Sequence, residues 1–120
     1  MRVFYSFCIS LIMVGCNQTN GKRRAKIQST LDGAGLYNKN CITCHKCGVD
    51  FTGPSLKGAT TRWKDKELMY AFIKNPMAVI QKDSYAAELQ MKYKIIMLPS
   101  MLTKDEIDAV LDYCDNEGEQ

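Results

Sequence analysis

The sequence predicts an all-α domain of three to five helices over residues 30–120. Apolar side chains recur at helical spacing in four stretches, and each stretch has a capping residue near its start. A further apolar run, 95–102, contains Pro99, which excludes it from the interior of a strand. A chain of 120 residues has room for one domain and short additional segments.

The first helix begins after Thr30 or Asp32, either of which can cap it. Positions i, i+4 and i+8 share one side of this helix, and they are occupied by Gly33, Tyr37 and Cys41. A helical glycine costs about 1 kcal/mol relative to alanine. We therefore expect another helix to cross closely at Gly33. Residues 46–61 follow as a loop, because they contain three glycines and a proline.

The second helix is predicted over residues 66–75, with Asp65 as its cap and Pro76 as its end. Its buried face has apolar residues at helical spacing, namely Leu68, Met69, Phe72 and Ile73. Residues 77–82 are predicted to be a connector between the second and third helices.

The third helix begins at Asp83 or Ser84 and ends near Lys94. Its apolar stripe consists of Tyr85, Ala86, Leu89 and Tyr93. The last helix begins with a capping box over residues 103–106, in which Thr103 and Glu106 satisfy each other's backbone N–H groups. The residues that follow on one face are Ile107, Val110, Leu111 and Cys114.

Composition excludes several classes of protein. The net charge of +3 is too small for a nucleic-acid-binding domain, and only Lys22-Arg23-Arg24 forms a basic run. Hydrophobic residues make up 46% of the chain, which is ordinary for a globular protein. The six cysteines do not form a three-disulfide framework, because the early ones have separate explanations.

The N-terminus has the features of an export signal. An apolar run of about twelve residues, 3–14, follows Arg2 and is shorter than the ~20 residues that cross a bilayer. The run ends in Met13-Val14-Gly15-Cys16, which resembles a bacterial lipobox. That resemblance implies a lipoprotein signal peptide over 1–15, a lipidated Cys16 and a periplasmic, membrane-anchored protein. Cleavage at a nearby site and an uncleaved anchor are the alternatives.

Residues 16–29 are polar and basic and lack a helical apolar stripe, which predicts a flexible tether. The mature domain is then 30–120.

The most informative motif is Cys41-Ile42-Thr43-Cys44-His45, the attachment signature of a c-type haem. Cysteines at i and i+3 lie on one face of a helical turn, so both can form thioethers with one porphyrin. The next residue, His45, can then reach the iron as the proximal ligand. It is the only histidine in the chain, so a second axial protein ligand must be of another type.

The following segment resembles that of class I cytochromes c. Gly53-Pro54-Ser55-Leu56-Lys57-Gly58, followed by Arg62, is similar in kind and spacing to the segment after the haem-binding histidine of that family. The resemblance implies a haem-wrapping cytochrome c fold in which the Pro54 carbonyl accepts the Nδ1 proton of His45. It also implies that Leu56 packs on the porphyrin and that Arg62 and Trp63 lie near a propionate. Taken alone, Arg62 indicates a surface charge and Trp63 a core aromatic.

The distal ligand is expected to be a methionine in the apolar run before the last helix. Met97 and Met101 flank Leu98-Pro99-Ser100, and the resemblance favours Met97, which lies close before the proline and about five residues before the helix start. Met69 falls on a helical face and is expected in the core, whereas Met77 and Met91 lack the family context.

The resemblance also implies that the last helix crosses the first, with Val110 and Tyr113 against Gly33 and Tyr37. This crossing would allow Cys47 and Cys114 to form a disulfide in an exported protein. A free, buried Cys114 is the favoured alternative, and the sequence does not show whether the two Cα atoms lie within bridging distance.

The function implied by the resemblance is electron transfer by a single covalent haem c, without enzymatic activity. Its partners would be a donor and an acceptor protein, such as a membrane oxidase or reductase. Two alternatives belong to other classes. Cys41-x2-Cys44-x2-Cys47 matches the start of an iron–sulfur or zinc thiolate motif, but the fourth Cys-Pro is missing. A gas- or peroxide-binding haem would require displacement of the methionine.

Overall fold

The computed structural model describes residues 30–117, which form six helices and no strand. The helices are α1 (Gly33–Asn40), α2 (Ala59–Arg62), α3 (Lys66–Lys74), α4 (Pro76–Ile80), α5 (Ser84–Tyr93) and α6 (Lys104–Asn116). Four of them have eight residues or more, and α2 and α4 are single turns. The predicted all-α fold class is confirmed.

Side-chain caps set the start of the four longer helices. The carboxylates of Asp32, Asp65 and Asp83 accept a backbone N–H in the first turn of α1, α3 and α5, at distances of 2.7–2.9 Å. The capping box of α6 is complete, since Thr103 and Glu106 each bond the other's backbone N–H. Caps are local, so the sequence predicted Asp65 and the capping box and narrowed each of the other two caps to two residues. Of these, the structure selects Asp32 and Asp83.

Two segments predicted to lie outside the helices are partly helical. The C-terminal end of the expected loop 46–61 forms α2, whose N-cap Gly58 has a φ of 68°. The expected connector 77–82 mostly belongs to α4, which begins at Pro76. Pro76 does end α3, but its fixed φ also suits the first position of a new helix, where no N–H is needed.

Helices α1 and α6 cross at Gly33, as predicted. A Cβ built at Gly33 would lie 2.3 Å from the backbone oxygen of Ala109, so only glycine fits. The rings of Tyr37 and Tyr113 pack 5.6 Å apart beside this crossing, and Val110 is buried against Tyr37. The close approach of the two backbones places the C-terminal end of α1 next to α6.

A second packed region joins α3, α4 and α5 through Phe72, Val79 and Ala86. Trp63 contacts it, with its ring 4.9 Å from Phe72 and 4.9 Å from Tyr85.

Helix α3 is tied to α6 by a buried polar contact. Asp108 is 7% exposed, accepts a hydrogen bond from the Tyr70 hydroxyl at 2.5 Å and pairs with Lys66 at 3.0 Å. Because the carboxylate has two partners, its burial leaves no unsatisfied charge.

Among residues 30–117, no helix is long and apolar enough to cross a membrane. The predicted signal peptide, lipidated Cys16 and tether lie outside the described residues.

Candidate haem-binding site

The Cys41–His45 motif forms a tight turn at the C-terminal end of α1. The Cys41 N–H donates to the Tyr37 carbonyl at 2.8 Å, and the Cys41 carbonyl accepts from Cys44 and His45 at 3.1 and 2.9 Å. Helix α1 therefore ends at the residue where the motif begins. Cys41 is half-buried and Cys44 is exposed, and neither belongs to a disulfide. Before haem is attached, burial raises the pKa of the Cys41 thiol to about 11.

His45 is held by three contacts. Its Nδ1 lies 2.8 Å from the Pro54 carbonyl oxygen, which is the contact the resemblance implies. A carbonyl can only accept, so Nδ1 carries the proton, and in the neutral imidazole Nε2 then has the lone pair. A Cβ at Gly53 would lie 2.6 Å from Cε1 of the ring, so glycine leaves the space that the imidazole fills. The Tyr37 hydroxyl donates to the His45 backbone carbonyl at 2.9 Å.

A cavity of about 340 Å³ brings most of the predicted site residues together. Its lining includes Cys41, His45, Pro54, Leu56, Arg62, Trp63 and Met97. Cys44 is exposed and is not among the residues that line it. The remaining walls are mainly apolar side chains of α3, α5, α6 and the segment 98–102, which suits a large apolar cofactor.

The donor set of the cavity fits a haem. Histidine nitrogen and methionine sulfur are both known ligands of haem iron, and His45 Nε2 and the Met97 thioether would supply them here. Cys41 supplies a thiol at the cavity wall for one thioether bond, and Cys44 follows three residues later.

Arg62 lines the cavity, but its guanidinium already has two backbone partners. It donates to the Lys57 carbonyl at 2.9 Å and to the Ser55 carbonyl. These bonds hold the segment that contains Pro54 and Leu56. The position of Arg62 beside a propionate stays a prediction, and so does that of Trp63.

The two candidate distal methionines differ in packing. Met97 is half-buried and contacts the cluster of Phe72, Val79 and Ala86. Met101 is 92% exposed, although it also lies at the cavity edge. Met69 is 1% exposed and belongs to the core, as expected for a residue on a helical face. Packing thus favours Met97.

Cys47 and Cys114 form a disulfide, with their Cα atoms 4.8 Å apart. The favoured alternative of a free Cys114 is therefore wrong. The crossing of α1 and α6 brings the loop after His45 against the last turns of α6. The resulting distance between Cys47 and Cys114 cannot be read from their spacing in the sequence. The bridge also removes Cys47 from any three-thiolate motif. Within the described chain, no three Cys, His, Asp or Glu side chains are grouped to hold a metal ion.

Asp50 is a residue of the site region that the sequence did not single out. Its carboxylate accepts hydrogen bonds from Lys92 at 2.8 Å and Tyr93 at 2.6 Å, both on α5, and from the Ser55 backbone at 3.0 Å. These hydrogen bonds hold the pKa of Asp50 well below its usual range. The bond from Lys92 has the largest effect, followed by those from Tyr93 and Ser55. No local signal indicates a contact between residues so distant in sequence.

An all-α fold that encloses an apolar cavity with a Cys-x2-Cys-His turn and an oriented histidine defines a haem-binding domain of the c type. The sequence model of the family Cytochrome c matches residues 31–116. The chain therefore belongs to the cytochrome c family, which binds haem c covalently, and it is a haem-based electron carrier.

Solved structures agree with this assignment. The chain is similar to a cytochrome c from Rhodothermus marinus, with 26% identity, a TM-score of 0.58 and coverage of 84% of this chain and 82% of that one. It also shares its fold with an engineered cytochrome c from Rhodothermus marinus, at 22% identity and a TM-score of 0.59, with coverage of 87% and 88%. No curated protein matches the chain.

Proposed function

We propose that this protein carries one electron at a time on a single haem c with His45 and Met97 as axial ligands. The observation that supports this most strongly is the hydrogen bond between His45 Nδ1 and the Pro54 carbonyl, at 2.8 Å. It leaves Nε2 as the basic nitrogen of a histidine at the wall of a cavity that Met97 also lines. Bound haem supplies the one-electron chemistry, and His/Met ligation raises its reduction potential.

The protein's own residues would keep the ligand set fixed. The Pro54 carbonyl sets the tautomer and the ring plane of His45, and Gly53 leaves room for that plane. Met97 is backed by the packed side chains of α3, α4 and α5. Two protein ligands leave no open position for a substrate, which favours electron transfer over gas or peroxide chemistry.

The partners we propose are a donor and an acceptor redox protein, such as a membrane oxidase or reductase. Electron exchange between proteins suits weak and short-lived docking, in which charge guides the encounter. The small positive net charge and the exposed apolar residues Leu98 and Met101 at the cavity edge are compatible with such a surface.

We also propose that the mature protein begins at a lipidated Cys16 on the periplasmic side of a bacterial membrane. This part rests on the sequence of residues 2–16. Replacement of Cys16 by serine should move the protein from the membrane fraction to the soluble fraction. A wild-type protein that is already soluble would contradict the anchor without affecting the assignment of the haem.

The function is tested by producing the full chain in a host that attaches haem c. We expect the unfolded protein to retain the mass of one haem and the native protein to take up and release one electron reversibly. Absence of bound haem would refute the proposal. A high-spin ferric spectrum would instead support the gas or peroxide site, since it would show that Met97 is not bound to iron.

A further inference from the structure

Asp50 joins the loop after His45 to the C-terminal end of α5. One carboxylate oxygen accepts the Ser55 N–H at 3.0 Å, and the other accepts Lys92 at 2.8 Å and the Tyr93 hydroxyl at 2.6 Å. We refer to Asp50, Lys92 and Tyr93 as the Asp50 clip. The clip spans a second cavity, of about 410 Å³, which Pro54 and Arg62 also line.

The clip connects the two segments that carry the proposed axial ligands. On one side, Asp50 and Ser55 belong to the turn that presents the Pro54 carbonyl to His45. On the other side, Tyr93 is the last residue of α5, and Met97 follows four positions later. Lys94 ends the helix in the left-handed region, with a φ of 56°, and turns the chain toward Met97.

The Met97 segment has few other anchors. In the part of the chain that the structure describes, no backbone hydrogen bond joins residues 95–99 to the rest of the protein. The next fixed point is the Ser100 N–H, which donates to the Ile73 carbonyl at 2.9 Å. Most of the segment is exposed, including Ile95, Ile96 and Leu98. Between the end of α5 and Ser100, packing of the Met97 side chain is therefore the main contact with the rest of the protein.

We propose that Asp50 is a positioning residue that fixes the start of the Met97 segment relative to the His45 turn. The inference rests on the proposed His45/Met97 ligation. Without the clip, the last turn of α5 is free to move away from the His45 turn, and Met97 opens from the iron more often. The clip is exposed, with Asp50 and Lys92 side chains 48% and 63% accessible, so its contribution to global stability should be small.

The test compares Asp50→Asn and Tyr93→Phe with a matched control, Glu88→Gln, in the haem-loaded full chain. Glu88 is an exposed carboxylate on the same helix that lines the same cavity. The first readout is the apparent affinity of the ferric protein for added imidazole, which measures how often the methionine position is open. The second is hydrogen exchange at the Ser100 amide, measured against amides in the middle of α6.

We expect both clip variants to raise imidazole affinity and Ser100 exchange by about three- to tenfold, as loss of one ordinary hydrogen bond at an exposed site predicts. Glu88→Gln and the α6 amides should not change. Tyr93→Phe should have little further effect in the Asp50→Asn background, because both changes act on the same contact between the Tyr93 hydroxyl and the Asp50 carboxylate. Equal changes in all amides would indicate global destabilisation and overturn the proposal, and so would unchanged imidazole affinity in both variants. If the wild type shows no methionine ligation, the proposed function itself fails instead.

Discussion

Removal of the Cys47–Cys114 disulfide should strongly destabilise the protein. The bridge joins residues 67 positions apart, so it closes a loop that includes Pro54, Arg62 and Met97. Loop-closure entropy for this length corresponds to about 4 kcal/mol of stabilisation. In a domain of this size each kcal/mol changes Tm by roughly 4–8 °C, so we expect Tm to fall by about 15–30 °C.

The variant to measure is Cys47→Ser, by thermal unfolding of the haem-loaded protein. Cys47 lies in the loop, whereas Cys114 is fully buried, so this change breaks the bridge without opening a cavity in the core. A thiol reductant provides the control, because it should lower the Tm of the wild type and leave Cys47→Ser unchanged. A loss in Tm below about 5 °C would refute the reasoning. So would peptide mapping that finds Cys47 and Cys114 as free thiols.

Three further perturbations test the crossing of α1 and α6, the packing of the His45 ring against Gly53, and the charge of Asp50. Gly33→Ala should cost about 1–3 kcal/mol in the free energy of unfolding, because its Cβ would lie 2.3 Å from the Ala109 oxygen. Gly53→Ala should weaken haem attachment or alter the ferric spectrum, since its Cβ would lie 2.6 Å from the His45 ring. Because the pKa of Asp50 is lowered on folding, its stabilising effect is complete above the pKa of the unfolded chain, about 4. That effect is lost as pH falls below this value toward the folded pKa. Acid unfolding of Asp50→Asn should therefore be less steep than that of the wild type.

Each of these three tests has a specific contradicting result. Asn38→Ala, on the exposed side of α1, is the control for Gly33→Ala, and equal effects of the two would show that the crossing is not tight. A normal spectrum in Gly53→Ala would show that the ring does not depend on glycine there. Parallel acid-unfolding curves for Asp50→Asn and the wild type would show that the clip has no proton linkage.

Features set by neighbouring residues could be predicted from the sequence. The caps at Asp32, Asp65, Asp83 and Thr103 follow from local hydrogen bonds, and all four are present. The need for glycine at position 33 also followed, because a helical glycine has a cost that only close packing explains.

Features that depend on the exact distance between segments far apart in sequence could not be predicted from local patterns. The Cys47–Cys114 bridge depends on how closely two helices approach, and the link between Asp50 and α5 joins residues more than 40 positions apart. Tyr70 is buried on α3 but was absent from the predicted buried face. Its burial depends on a hydrogen bond from its hydroxyl to Asp108, which forms only in the folded protein. Polar residues of this kind are buried where the fold supplies a partner, which no local pattern reveals.

The central claim is that His45 and Met97 bind one haem iron from opposite sides, and the ferric absorption spectrum tests it most directly. We expect the wild type and Met101→Ala to be low-spin and to show the weak methionine–iron band at the red end of the visible spectrum. Met97→Ala should lose this band and become high-spin. A high-spin wild type, or a Met97→Ala protein that keeps the band, would contradict the assignment.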